Sequence, residues 1–161
     1  MADEDITGRL VAAAEAGDLD VVRAMLDAEA DPNLPDAQEE GALRAAARAG
    51  HGAVVRLLLE RGADPNWAEP NEFRTALMAA AVHGHSDIIR VLISCGSRVD
   101  DGDDYGETAL CCAASAGRLE AVRALLECGA DPRKPGEIGA PLEVAADEVP
   151  EVAELLRAAG A

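Results

Sequence analysis

Histidine and cysteine, the side chains best suited to metal binding or nucleophilic catalysis, are few in this sequence and poorly spaced for either task. The triplet His83-Gly84-His85 has no cysteine or carboxylate at the spacing of a zinc site. The four cysteines form no CxxC pair, which leaves a regulatory thiol open but marks none: Cys95, Cys111, Cys112 and Cys128. We expect no metal site here.

An aspartate-rich segment, DDGDDYGE from Asp100, has the crowded carboxylates and the glycine of a calcium-binding loop. The match fails in register. With Asp101 as the first ligand, Tyr105 falls where an oxygen ligand is expected and Cys112 falls at the bidentate glutamate position. The sequence also lacks a G-x-x-x-x-G-K phosphate loop and a G-x-S-x-G nucleophile turn. It therefore predicts neither an enzyme nor a cofactor.

The elements that position these residues repeat along the chain. Leading leucines fall 33, 34, 33 and 32 residues apart, at Leu10, Leu43, Leu77, Leu110 and Leu142. Glycine closes the first helix of each of four units, where a left-handed residue can end it: Gly17, Gly50, Gly84 and Gly117. Thr75 and Thr108 precede first helices as N-caps. A GADP-type segment ends the second helix.

These features resemble the ankyrin-repeat family over about residues 7–161. The resemblance rests on the VVxxLL run, the glycine turn, the terminal GADPN and four pairs of alanines: Ala46-Ala47, Ala80-Ala81, Ala113-Ala114 and Ala145-Ala146. The resemblance implies an all-α solenoid of five helix-turn-helix repeats with short extended fingers between them. By this resemblance, the solenoid would form one domain, residues 1–161, with repeats near 7–33, 34–66, 67–100, 101–133 and 134–161.

Departures from the family pattern concern the ends of helices and of the chain. The family's TPLH tetrapeptide is eroded, and Gly41 and Ala140 stand at the position of the capping threonine, so those helices should start less firmly. The fifth repeat is shortened. Both terminal repeats resemble caps, with Arg157 where inner repeats carry leucine or isoleucine.

Charge narrows the range of partners. The formal net charge is −17, from 14 basic and 31 acidic residues, which disfavours nucleic acid and anionic membrane surfaces. The first ten residues, MADEDITGRL, have neither the basic region nor the apolar stretch of a secretory signal, so we expect none, and no apolar run approaches the roughly 20 residues of a membrane span. We expect a cytoplasmic protein with reduced thiols.

The acidic surplus is expected in the fingers. Arg23, Arg56, Arg90 and Arg123 recur on the second helices, each with an acidic residue three before or four after it, so they should pair within their own helices. Carboxylates of the fingers lack such neighbours in sequence. They should create a negative field that attracts a basic partner.

We therefore predict a monomeric adaptor or regulator that binds another protein, with a basic surface, on the concave face of fingers and first helices. The finger contacts would be Trp67, Glu72, Phe73, Arg74, Asp104, Tyr105 and Glu107, and the first-helix contacts Arg48, Val82, His83 and Ser115. The short array also resembles the ankyrin inhibitors of cyclin-dependent kinases, which makes a stand-alone enzyme inhibitor the alternative.

Overall fold

A computed structural model describes residues 2–69, 74–145 and 149–161, with side chains from Ile6 onward. Within those ranges the helices are α1 (Ala2–Ala16), α2 (Leu19–Asp27), α3 (Ala42–Ala49), α4 (Gly52–Glu60), α5 (Ala76–His83), α6 (Ser86–Ser94), α7 (Ala109–Ser115), α8 (Leu119–Glu127) and α9 (Pro150–Ala158). The fingers are the segments that follow α2, α4, α6 and α8, and they are numbered first to fourth in that order. Extended pairing in the described ranges is limited to isolated bridges in these fingers: Ala68 with Thr75, Gly102 with Thr108, and Gly136 with Gly139. The all-α solenoid is confirmed.

The helices pack in two rows. The first helices, α1, α3, α5 and α7, contact one another in sequence, and the second helices form a parallel row of α2, α4, α6, α8 and α9. The first row packs more closely, because its contacts are made by small, fully buried residues such as Ala46, Ala80 and Ala113. That difference makes the array concave on the side of the first row. We call the exposed side of this row, together with the fingers, the concave face.

Local signals in the sequence determine the helix ends. Gly50 and Gly84 adopt the left-handed conformation that closes α3 and α5, with φ of 85° and 80°. Thr75 accepts a hydrogen bond from the Met78 amide at 3.4 Å, and Thr108 one from the Cys111 amide at 3.3 Å. Both caps were predicted and are confirmed. Gly41 precedes α3 without a side-chain cap, also as predicted.

The core lies between the two rows and is built from aliphatic side chains. Four of the leading leucines are buried, with exposed fractions from 0% to 6%: Leu10, Leu43, Leu77 and Leu110. No aromatic side chain is buried within the described ranges. Buried leucine, valine and isoleucine side chains of the second helices form one core cluster with the alanines of the first helices.

The two ends depart from the inner repeats. Helix α1 begins at Ala2, ahead of the expected start of the first repeat. In the fifth repeat, residues 141–145 form turns instead of a regular helix, with the Glu143 and Val144 amides both donating to the Ala140 carbonyl. Ala146 lies outside the described residues. In the described ranges the array therefore shows four helix pairs followed by α9, on which Arg157 is exposed as a cap requires.

Candidate functional site

One slot on the concave face carries a different residue in each repeat. The fifth residue after the leading leucine is Glu15, Arg48, Val82 or Ser115. Glu15 and Ser115 are exposed, and Arg48 and Val82 are half-buried. Core slots, in contrast, repeat leucine and alanine throughout. Packing of the repeats therefore does not dictate the residue in this slot. Glu15 was missed by sequence reasoning, although its register marks it.

The backbone of this slot is fixed by the next repeat. A side-chain nitrogen at the start of each following second helix donates to the slot's carbonyl oxygen. The pairs are His51 Nε2 with Glu15 at 2.9 Å, His85 Nε2 with Arg48 at 3.0 Å and Arg118 Nε with Val82 at 2.9 Å. These bonds join neighbouring repeats and hold the row of slots in a defined spacing.

Two arginines of α3 connect the first three repeats through carboxylates. Arg44 Nη1 lies 3.1 Å from Glu40 and 2.7 Å from Glu69. Arg48 Nη2 lies 2.9 Å from Glu15 and 3.1 Å from Glu40. Only 16% of the Arg44 side chain is exposed, so solvent screens this network less than an ordinary surface pair. The prediction that the finger carboxylates lack basic neighbours is wrong for Glu40 and Glu69.

A small cavity of about 70 Å³ opens on the concave face between α3, α5 and α7. Arg44, Arg48, Arg74 and His83 surround it together with apolar groups of Met78, Ala79, Val82 and Cys112. Burial raises the pKa of the Cys112 thiol to about 11. The thiol is therefore protonated at neutral pH and contributes packing surface, not a nucleophile.

His83 is exposed beside this cavity and is held by its own helix. Its Nδ1 donates to the Ala79 carbonyl at 3.0 Å. The ring stacks on that of His85, with centroids 6.1 Å apart. The arrangement leaves one edge of the imidazole on the concave face.

The third finger is organised around a buried carboxylate. Asp103 Oδ1 accepts the amides of Tyr105 at 2.9 Å and Glu107 at 3.0 Å, and its Oδ2 lies 3.6 Å from Arg74 Nε. Only 1% of the Asp103 side chain is exposed. It therefore supports the fold of the finger and does not project toward a partner, contrary to the expectation that the finger carboxylates attract a basic partner. Asp104 and Tyr105 project into solvent.

The third and fourth fingers are joined by two hydrogen bonds. The Glu137 amide donates to the Tyr105 carbonyl at 2.8 Å, and the Ile138 amide donates to Glu107 Oε1 at 3.1 Å. Gly136 permits the contact, since a Cβ there would overlap the Glu107 carboxyl group. Glu107 therefore spans the two fingers as well as lining the concave face. Ile138, which the sequence did not single out, is 69% exposed at the fourth tip.

Trp67 packs against the entrance of α3. A Cβ placed on Gly41 would lie 2.8 Å from Trp67 Cζ3 and 3.0 Å from Cε3, closer than real Cβ atoms approach. The ring is half-buried in this contact between the first and second fingers. Its position explains why glycine replaces the capping threonine at position 41.

The predicted contact residues fall into two groups and a remainder. Arg48, Arg74, Val82 and His83 surround the cavity, and Asp104, Tyr105 and Glu107 lie in the third finger. Two residues lie apart from both groups: Ser115 is exposed at the end of α7, and Trp67 packs against Gly41. Glu72 and Phe73 lie outside the described residues.

Charges of the second helices pair both within and between repeats. Arg123 Nε lies 3.6 Å from Glu120 of its own helix, as expected. Arg90, however, reaches Glu127 of the next repeat at 2.7 Å, and Arg61 reaches Asp27 of the preceding repeat at 2.7 Å. The prediction of purely local pairing is wrong for Arg90, because stacked helices bring the neighbouring carboxylate within reach.

Neither a metal cluster nor a membrane span is found in the described part of the chain. No three histidine, cysteine or acidic side chains there come together as metal ligands. Likewise, none of its helices is both long enough and apolar enough to cross a bilayer.

Comparison with known families gives one match. A family model described as ankyrin repeats, in three copies, matches residues 7–69 and 66–135. No curated protein matches the chain. The matched segments contain the whole of the first row of helices from Thr7 onward, the cavity and the third finger.

Proposed function

The chain belongs to the ankyrin-repeat family, and from that premise we propose that it is a non-enzymatic adaptor or regulator that binds a partner protein with a basic surface on its concave face. Ankyrin repeats are in general protein–protein interaction modules. Because one fold hosts many functions, the choice of face and of partner charge rests on the chain's own residues.

The observation that carries the proposal is the contrast between core slots and the concave slot. Core positions repeat the same residue types, whereas Glu15, Arg48, Val82 and Ser115 share one position and differ in charge, size and polarity. Hydrogen bonds from the following repeat fix the backbone of the first three. A fixed row of dissimilar side chains is suited to recognising one complementary surface.

Net charge supports a basic partner. Of the finger carboxylates, Asp103, Glu40 and Glu69 are compensated internally by arginine. Exposed acids such as Asp104 and Glu137 remain, in a chain with a net charge of −17. Such a field accelerates encounter with a cationic surface.

We place this activity in the cytoplasm, carried out by a monomer. All four cysteines are free, which suits a reducing compartment, where disulfides are rare.

Affinity capture with the full chain tests the proposal when it is combined with matched variants. Val82→Arg places a bulky charge in the concave slot, and Arg23→Glu changes an exposed residue of α2 on the opposite row. Captured proteins that bind at the concave face are lost with Val82→Arg and retained with Arg23→Glu. Circular dichroism spectra and melting curves matching the parent show that each variant is folded.

The opposite pattern, loss with Arg23→Glu and retention with Val82→Arg, would contradict the proposal. A kinase among the specifically lost proteins, together with inhibition of its activity by the purified chain, would identify the chain as an inhibitor instead of an adaptor.

A further inference from the structure

The two most exposed large apolar side chains in the described part of the molecule are neighbours. Tyr105 is 58% exposed at the tip of the third finger, and Ile138 is 69% exposed at the tip of the fourth. The Glu137 amide, one residue before Ile138, donates to the Tyr105 carbonyl at 2.8 Å. The backbones of the two tips are thus in contact, and each tip presents an exposed apolar side chain.

The backbone beneath these side chains is fixed before any partner arrives. Tyr105 donates its amide to Asp103 at 2.9 Å and accepts from Glu137, and Ile138 donates its amide to Glu107 at 3.1 Å. The Asp103 carboxylate is itself buried. Ordering a loop is one of the main entropic costs of association. Because these two fingertips are already ordered, little backbone entropy is lost when a partner binds. Exposed apolar groups on such a support are suited to contact with another molecule.

The rim of this pair is acidic. Asp104 and Glu137 flank the two tips and are exposed, and neither carboxylate forms an ion pair with any described residue. Arginine fits both parts of this surface. Its guanidinium can stack on the tyrosine ring and bond to a carboxylate, while its methylene groups cover an aliphatic side chain.

We propose that Tyr105 and Ile138, with Asp104 and Glu137, form a docking platform for an arginine-containing extended segment of the partner protein. The inference rests on the proposed function and deepens it, since it assigns the partner's basic residues to the third and fourth fingertips. The first helices then contact a separate part of the same partner.

Amide NMR spectra of the full chain test the platform with a defined probe, the blocked peptide Ala-Arg-Leu-Arg-Ala. Saturable shifts are expected at the amides of Tyr105, Gly106, Glu137 and Ile138. The same peptide with citrulline in place of arginine keeps the shape and loses the charge. It should bind at least about tenfold more weakly, as loss of a charge-assisted contact predicts.

Variants separate the platform from general attraction to an acidic protein. Tyr105→Ser combined with Ile138→Ser should weaken the arginine peptide by about tenfold or more. Leu34→Ser, a matched change of an exposed apolar residue in the first finger, should leave its affinity unchanged.

Three results would each overturn the platform: the absence of saturable shifts at the fingertips, an affinity that is equal for both peptides, and an affinity that the double variant leaves unchanged. If the first result comes with shifts confined to the first helices around Val82, the platform is rejected while the proposed function is still supported. That function is judged separately, by capture with Val82→Arg.

Discussion

Restoring a capping threonine at position 41 should destabilise this protein, although the repeat pattern favours it. Gly41 occupies the position of Thr75 and Thr108, which cap α5 and α7, and its φ of −92° and ψ of 144° suit any residue. A threonine there gains a few tenths of a kcal/mol as a cap over glycine. Lower entropy of the unfolded chain adds about 0.4–1 kcal/mol.

The opposing effect is overlap with Trp67. A Cβ at position 41 lies 2.8 Å from Cζ3 of the ring, and a rigid ring cannot yield as a flexible side-chain end would. Overpacking of this kind costs about 1–3 kcal/mol. We therefore expect Gly41→Thr to lower the free energy of unfolding by about 1 kcal/mol. In a Trp67→Ala background the same change should raise it by roughly 0.5–1 kcal/mol, because only the cap and entropy terms remain.

Urea unfolding of the parent, both single variants and the double variant measures this reversal of sign. Far-UV circular dichroism is the appropriate signal, because Trp67 is the only tryptophan and its fluorescence disappears with the substitution. Coupling between contacting residues is typically 0.5–3 kcal/mol, so an effect of about 2 kcal/mol is measurable. Stabilisation by Gly41→Thr while Trp67 is present would refute the packing argument.

Four further predictions concern the repeats and the thiols. Asp100→Asn should raise the free energy of unfolding in urea by about 0.5–1.5 kcal/mol. Asn33 and Asn66, at the corresponding positions of earlier repeats, donate their side-chain amides to the carbonyls of Gly62 and Gly96, whereas Asp100 has no such donor. Leu110→Ala, at a fully buried position, should destabilise by about 2–5 kcal/mol in the same measurement. Alkylation of the native protein should label the exposed Cys95 well before the partly buried Cys112. Stability should fall between pH 9.0 and about 11, because the Cys112 thiol ionises over that range in the unfolded chain, whereas partial burial raises its pKa to about 11 in the folded protein.

Each of these has a clear contrary outcome. Gly129 follows α8 as Gly62 follows α4 and Gly96 follows α6, so its carbonyl is the expected acceptor for an asparagine at position 100. A loss of stability in Asp100→Asn would show that this hydrogen bond does not form. An effect below about 1 kcal/mol for Leu110→Ala would place that side chain outside the core. Equal labelling rates for Cys95 and Cys112 at neutral pH would contradict the partial burial of Cys112. For the pH effect, Cys112→Ala is the control, because it should remove the part of the loss that this thiol causes.

Much of the fold could be predicted because its signals are local. The spacing of Leu10, Leu43, Leu77 and Leu110 sets the repeat, and glycine or threonine at a helix end needs only its own turn to act. The fifth repeat is where this reasoning weakens. Its shortened first segment forms turns at residues 141–145, since it has neither the threonine cap nor the glycine turn.

The candidate site was predicted less completely, because its contacts join residues about one repeat apart. Asp103 looks like a surface acid in the sequence, yet its side chain is buried, and its carboxylate lies 3.6 Å from Arg74 of the preceding finger. The choice between Asp87 and Glu127 as partner of Arg90 depends on how helices stack, which helix spacing alone does not reveal.

Trp67 and Ile138 also show that the sequence alone does not reveal which finger side chains are exposed. Trp67 was predicted as a contact residue, and its partly buried ring packs on Gly41. Ile138 was overlooked, because an isoleucine in a loop gives no sign of exposure until the fingertips are placed together.

Hydrogen–deuterium exchange of the full chain, alone and saturated with a captured partner, tests most directly whether the concave face is the binding surface. Added protection should appear at the ends of α3, α5 and α7 and in the third and fourth fingers, while the exposed side of α4, α6 and α8 exchanges as before. Protection confined to α4, α6 and α8 would contradict the account.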